Sequence, residues 1–307
     1  MSLEVGLVGL PGAGKTSLFT ALTGISGSAY GKEHVGVAAI PDERLAPIAA
    51  AIGSAKTTPA ALQVHDPPGL SAAVLGELRQ VDALLAVGRN FGSDPDPASD
   101  AEAIMLELVV ADRDHVERRL DRVRTQAKSG DPELRKEVEE LERVLAHLEA
   151  GNPLSSYESP LTPELEPLTT KPMVHLVNGD EDGLDLKLEA ELAELDPEEA
   201  AEFREGSSTL ETVLAGLVEA VGLITFFTGN EKETRAWTLR RGQTALDAAA
   251  TVHTDLARGF IRCEVVSAAD LIEAGSRAEA ARRGVQRLEG RDYVVADGDV
   301  LNIRFNV

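Results

Sequence analysis

Residues Leu3 to Thr20, LEVGLVGLPGAGKTSLFT, decide the fold of this chain. Leu3, Val5, Leu7 and Val8 make a short apolar strand pattern. Gly9-Leu10-Pro11-Gly12-Ala13-Gly14-Lys15-Thr16 then fits G-x-x-x-x-G-K-[ST] at every fixed position, and Ser17-Leu18-Phe19 opens a helix. A chance glycine-rich turn would lack this order of strand, loop and helix. A nucleoside triphosphate carries several negative charges, and backbone amides must approach it closely to meet them. Glycines permit that approach and the positive-φ turns it needs. Gly9, Pro11, Gly12, Ala13, Gly14, Lys15, Thr16 and Ser17 are therefore the expected nucleotide-binding set. Lys15 is expected to reach the β and γ phosphates and the Thr16 hydroxyl to hold Mg²⁺, and the helix start adds its partial positive charge.

The rest of the chain bounds what this loop can serve. Its 307 residues suffice for two or three domains, and 43% hydrophobic content with 4% aromatics points to an α/β protein. No run of about 18 apolar residues occurs and the N-terminus enters the first strand directly, so the expected location is cytoplasmic, with no membrane partner. The one cysteine, Cys263, cannot form an internal disulfide and reads as a small core residue. A net charge of −22 argues against a protein that coats nucleic acid by general attraction. From Val221 onward, however, 12 basic residues balance 12 acidic ones. That segment could present arginines (Arg240, Arg241, Arg282, Arg283, Arg287) to RNA or simply a solvated mixed-charge surface.

Downstream of the loop, Thr23 to Lys32 has turn composition and occupies the place of a switch loop. Val35–Ile40 reads as a strand, Pro41-Asp42-Glu43-Arg44 as a helix start, and Ala60–His65 as a strand running into Asp66-Pro67-Pro68-Gly69. In that D-x-x-G, Asp66 is expected to hold the metal through water and the Gly69 amide to sense the γ phosphate. Val81–Val87 is a further buried strand. Apolar residues then step at helical spacing through Leu106, Val109, Val116, Leu120, Val123 and Ala127. After a turn at Ser129–Pro132 they continue through Leu134, Val138, Leu141, Leu145 and Leu148, the pattern of an antiparallel helical hairpin. A proline-rich connector leads to a strand at Met173–Val177 that ends on Asn178-Gly179-Asp180-Glu181. Leu188–Phe203 and Thr209–Val221 read as helices. Short strands at 224–227, 235–239, 260–266, 293–295 and 301–305, with a helix over 245–255, indicate a small β-grasp-like module.

The chain resembles the YchF/Obg-like ATPase family, P-loop NTPases with a G domain, an inserted helical coiled coil and a C-terminal TGS domain. The stretch ITFFTGNEKETRAWTLRRGQTALDAAATVHTDLARGFIRCEV, with RLEGRDYVVADGDVLNIRFNV, is similar to the TGS domain nearly throughout. The phosphate loop, VGVAAIPDERL, ADRDHVERRLDR and KPMVHLVN match in order. The resemblance implies an α/β fold with a P-loop G-domain sheet and an inserted antiparallel hairpin, followed by a β-grasp TGS domain. On it, residues 1–107 and 152–222 form the G domain, 108–151 the hairpin and 223–307 the TGS domain. It also implies ATP binding with Mg²⁺, held by Thr16 and Asp66, slow hydrolysis, and contact with the ribosome or rRNA through the TGS domain and hairpin. Asn178 and Glu181 occupy the base-reading positions. The resemblance implies ATP over GTP through this variant base motif, and Gly179 replaces the lysine whose stem packs on the base in GTPases, so one stacking contact is absent.

The departures from the family pattern bear on turnover. Leu70 stands where Ras-type GTPases place the water-orienting glutamine, so no catalytic residue is assigned. Gly12 replaces a family asparagine linked to potassium use, and the family's switch I threonine is missing, with Tyr30 near its position. The loop after Gly69 is shortened, and a helix and strand beyond the base motif are deleted, leaving Lys187 of an S-A-K segment. Two expectations therefore stand: a slow or partner-activated ATPase, and a nucleotide-binding module that does not turn over and acts through its TGS and coiled-coil contacts.

Overall fold

The computed structural model describes residues 3–25, 34–92, 94–179, 184–196, 199–200 and 209–306. Tyr30, Glu181 and most of the Thr23–Lys32 segment lie outside them. Packing divides the chain into two units, one of residues 4–36 and 63–207, the other of residues 1–3, 37–62 and 208–307.

The first unit is built on a five-stranded sheet of order β2-β4-β1-β5-β6. Its strands are β1 (Leu3–Gly9), β2 (His34–Ile40), β4 (Ala60–Asp66), β5 (Ala83–Arg89) and β6 (Met173–Asn178), with unit boundaries falling inside β1, β2 and β4. β1 runs parallel to β5, pairing Leu7 with Leu85, and β5 runs parallel to β6, pairing Val87 with Leu176. A parallel central strand is covered on both faces, which is why β1 and β5 read as nearly unbroken apolar runs. Helix α1 (Lys15–Thr23) follows β1 directly. The carboxyl ends of β1, β4 and β6 thus carry Gly9, Asp66 and Asn178.

Helix α4 (Pro97–Ala127) begins nine residues before Leu106, where the apolar stepping starts. Pro97 sits in its first turn, and the Asp96 carboxylate caps it by accepting from the Ala98 and Ser99 amides. Ile104, Leu108 and Ala111 pack with Val8, Leu75, Leu78 and Leu84 beside the sheet. From Val109 the helix changes partner: Val109, Val116, Leu120 and Val123 meet Leu141, Val144 and Leu148 of α5 (Pro132–Glu149). Leu106, expected in this seam, is 58% exposed, because the seam starts one turn later. Between the two contact regions lies Asp112, only 1% exposed. It accepts from the Arg79 guanidinium at 2.6 Å, the Leu168 and Thr169 amides at 2.9 Å, and the Thr169 hydroxyl at 2.8 Å. Arg79 also donates to the Ala111 carbonyl at 2.9 Å. This network joins the segment after α3 (Ala72–Glu77) to the root of the hairpin.

The second unit is organised on a six-stranded sheet of order β10-β9-β11-β7-β8-β3. These are β3 (Thr57–Thr58), β7 (Leu223–Gly229), β8 (Thr234–Arg240), β9 (Phe260–Ser267), β10 (Arg287–Glu289) and β11 (Asp299–Phe305). Ile224, Phe226, Leu239, Cys263, Val265 and Leu301 form its core with Ala245, Ala248 and Ala249 of α8 (Ala245–Val252); α7 (Thr209–Ala220) precedes the sheet. Burial pushes the Cys263 thiol up to about 12, as expected for a core residue. Trp237 stacks on Phe226 and donates to the Thr228 hydroxyl.

Two features of this unit differ from the sequence reading. Residues 293–295 are not a strand; Val294 makes only an isolated bridge to Thr244, while the fourth pairing segment is β10. The helix expected over 245–255 stops at Val252, where the His253 ring accepts the Asp255 amide and caps a second short helix, α9 (Thr254–Arg258). Two further helices, α10 (Ala268–Ala274) and α11 (Arg277–Arg282), follow β9. Residues 41–58 also pack here. Helix α2 (Leu45–Ile52) follows the 41–44 turn, and β3 lengthens the sheet by pairing in parallel with β8. Arg44 fixes the segment: it bonds Asp42 through Nε at 2.9 Å, reaches Asp297 through a terminal nitrogen at 2.6 Å, and lies 5.3 Å from the Phe227 ring centre.

Candidate nucleotide and metal site

The site lies outside the carboxyl ends of the first sheet, where an open α/β sheet offers a crevice. β1 releases the chain at Gly9, and α1 takes it up at Lys15. Gly14, the residue before the helix, has φ 104°, and a β-carbon there would come within 2.4 Å of the Asn178 amide nitrogen. Only glycine fits that position on both counts. The Lys15 ammonium donates to the Gly9 carbonyl at 2.8 Å. Burial lowers the Lys15 pKa, and the Asp66 charge partly opposes the shift.

Asp66 ends β4 and is buried. Its Oδ2 accepts the Thr16 hydroxyl at 2.9 Å. These two oxygens therefore converge from separate elements, β4 and α1, beside the Lys15 ammonium. The pair fits magnesium, which commonly takes one or two protein oxygens and fills its octahedron with phosphate and water oxygens. Among the described residues no cluster of three or more His, Cys, Asp or Glu could hold a metal ion.

Two other predicted positions fall at the rim. The Gly69 amide donates to the Pro67 carbonyl at 2.9 Å, so it is turned into its own loop. Leu70 packs against the apolar cluster under α4. Asn178 braces the phosphate loop: its side-chain amide donates to the Ala13 carbonyl at 2.9 Å and its oxygen accepts the Leu186 amide at 3.2 Å, at the start of α6 (Leu186–Ala193). At Gly179 a β-carbon would lie 2.7 Å from the Asn90 carbonyl oxygen, so the close approach of residue 90 keeps a side chain out. Asp100 holds the end of β5 by accepting the Arg89 guanidinium at 2.9 Å through both oxygens and the Arg89 amide at 2.9 Å. The guanidinium lowers its pKa. Sequence reasoning did not find this brace or His34, whose ring lies 3.7 Å from Asp66.

This arrangement can be placed among known proteins. The C-terminal residues 223–306 match the family YchF-GTPase_C, described as a protein of unknown function (DUF933). Over the whole chain and the whole of the relative, the sequence is 36% identical to the Ribosome-binding ATPase YchF of Bacillus subtilis (strain 168). The chain belongs to the YchF family. A second family protein, the Ribosome-binding ATPase YchF of Escherichia coli O157:H7, is 35% identical over all of both chains. The Obg-like ATPase 1 of Oryza sativa subsp. japonica is 30% identical, over 99% of this chain and 92% of its own length. Among solved structures, the Schizosaccharomyces pombe YchF GTPase superposes with a TM-score of 0.81 at 26% identity, covering 99% of this chain and 98% of that one. The YchF architecture, a P-loop sheet with a separate C-terminal sheet, is thus the fold of this chain. The alignment with the Bacillus relative runs over 366 positions against 307 residues here, so that YchF protein carries stretches with no counterpart in this chain.

Proposed function

We propose that this chain is a ribosome-associated P-loop ATPase that binds ATP with Mg²⁺ and hydrolyses it slowly, or faster when a partner orders its site, as a translation- or stress-linked switch. The observation that carries this reading is the Thr16–Asp66 hydrogen bond at the carboxyl edge of the sheet, within the field of the Lys15 ammonium that caps the Gly9 carbonyl. The names of its relatives, ribosome-binding ATPases, supply the partner.

The chemistry follows from these groups. Backbone amides of residues 12–16 wrap the phosphates while Lys15 exchanges the Gly9 carbonyl for β- and γ-phosphate oxygens, which favours its charged form. Thr16 and Asp66 hold the metal, which when bound screens the phosphate charge. Asn178 fixes the loop from behind, and Gly179 brings no lysine stem to stack on the base. In this reading Gly69 senses the γ phosphate after its amide leaves Pro67, and Glu181 joins Asn178 in reading the base. Residues 1–107 and 152–222 act as the G domain. The 108–151 hairpin and the 223–307 TGS domain supply the ribosome or rRNA contact. Arg282 and Arg283 are paired with Glu279 at 2.7 and 2.9 Å. Contact with RNA through them would exchange these pairs for phosphates. No described helix is long and apolar enough to cross a membrane, and we assign a cytoplasmic location.

A second reading, a binding module with little turnover, draws on one observation: Leu70, directly after the D-x-x-G, lies in an apolar cluster and offers no group to orient water. Phosphate release from ATP by the full chain, with and without ribosomes, separates the two. Release that ribosomes stimulate supports the ATPase; binding of ATP with no release in either condition leaves the module.

A further inference from the structure

His34 heads β2 with its ring in the nucleotide site. Nδ1 lies 3.7 Å from Asp66 Oδ2, the same oxygen that accepts the Thr16 hydroxyl. The ring packs on Phe19, with centroids 5.8 Å apart and planes at 40°. Phe19 belongs to α1 and is fully buried, so the imidazole is held by the core and not by a mobile contact. Both ring nitrogens are shielded from solvent, and among the described residues neither has a hydrogen-bond partner. A shielded polar nitrogen is normally paired. When one is left unpaired beside two oxygens suited to a cation, the missing partner is best sought in the ligand.

We propose that His34 is a direct ligand, through Nδ1, of the divalent cation carried with the nucleotide, and that this nitrogen shifts the site's preference from Mg²⁺ toward Mn²⁺. The inference rests on the nucleotide reading given above and adds a ligand to it. Magnesium favours all-oxygen surroundings and sheds water reluctantly, whereas imidazole suits first-row transition ions, and Mn²⁺ accepts nitrogen and oxygen donors together. Thr16, Asp66 and His34 come from α1, β4 and β2, so the ion would tie three elements of the sheet's carboxyl edge together.

The test uses the full chain, labelled uniformly with ¹⁵N, and Mn²⁺ with ATP of natural isotopic content. Pulsed EPR then separates protein ¹⁵N from adenine ¹⁴N. The expected result is a ¹⁵N coupling at the Mn²⁺·ATP complex that is lost in His34→Ala and kept in His65→Ala. His65 is a suitable control because its ring faces Glu4, at 3.6 Å. His34→Ala should also lower Mn²⁺ affinity relative to Mg²⁺ by about tenfold, the low end of what loss of a metal-site group costs. Bound Mn²⁺·ATP without ¹⁵N coupling, or a coupling that survives His34→Ala, overturns the proposal and leaves the nucleotide reading intact. If the wild-type chain binds no Mn²⁺·ATP, both fall.

Discussion

Asp112→Ala should destabilise the first unit by about 4 kcal/mol, which makes it the sharpest structural test of how the hairpin is rooted. The carboxylate is 1% exposed and accepts four hydrogen bonds, one from the buried Arg79 guanidinium. Its removal strands the Arg79 charge, and breaking a buried pair by deleting one partner costs about 3–5 kcal/mol. The Leu168 and Thr169 amides lose their acceptor as well, each worth about 1 kcal/mol after water enters the space. These contributions overlap, so their full sum is not expected. Urea unfolding followed by far-UV circular dichroism is the proper assay, because the α4–α5 hairpin belongs to this unit. The single tryptophan, Trp237, reports on the other unit. Adding Arg79→Met to Asp112→Ala should recover part of the loss, since the stranded charge is gone. A loss below about 1 kcal/mol for Asp112→Ala, or a double variant as unstable as the two single losses added, would refute the reasoning.

Two further outcomes follow from the same physics. Asp100 has a folded pKa lowered by Arg89, so its contribution is present above the unfolded carboxylate pKa of about 3.9 and is lost as pH falls through the lower folded value. Asp100→Asn should therefore reduce stability at pH 7 and flatten the pH dependence of urea midpoints below about pH 4; a variant with an unchanged acid profile contradicts this assignment. Gly14→Ala meets both the φ of 104° and the Asn178 contact. It should weaken ATP binding by tenfold or more, an order-of-magnitude expectation for a strained loop, while the circular dichroism spectrum stays that of the wild type.

The phosphate loop and its sheet were legible in the sequence because a fixed eight-residue pattern and buried parallel strands both leave local marks. Asp66 could be placed at a strand end for the same reason. What stayed hidden depends on contacts distant in sequence. Asp112 reads as an ordinary polar residue in a helical stripe, and only the arrival of Arg79 and Thr169 makes it a buried centre. Residues 41–58 look like part of the nucleotide sheet, yet Arg44 reaches Asp297 across 253 positions of chain. The short helices at 268–282 lack the length for a visible period, and each is set by a serine cap, Ser267 and Ser276. His34 gave no signal, since nothing in its neighbours predicts that Asp66 and Phe19 will enclose it.

The central claim is that residues 9–16 with Asp66 form a working nucleotide site, and calorimetry of ATP with Mg²⁺ against the wild-type chain and Lys15→Ala tests it most directly. Wild type should bind, and loss of the ammonium should cost about 1.5–3 kcal/mol, roughly a 10- to 150-fold fall in affinity, as for hydrogen bonds to charged groups. Equal affinity in the two proteins, or no binding by either, would contradict the account.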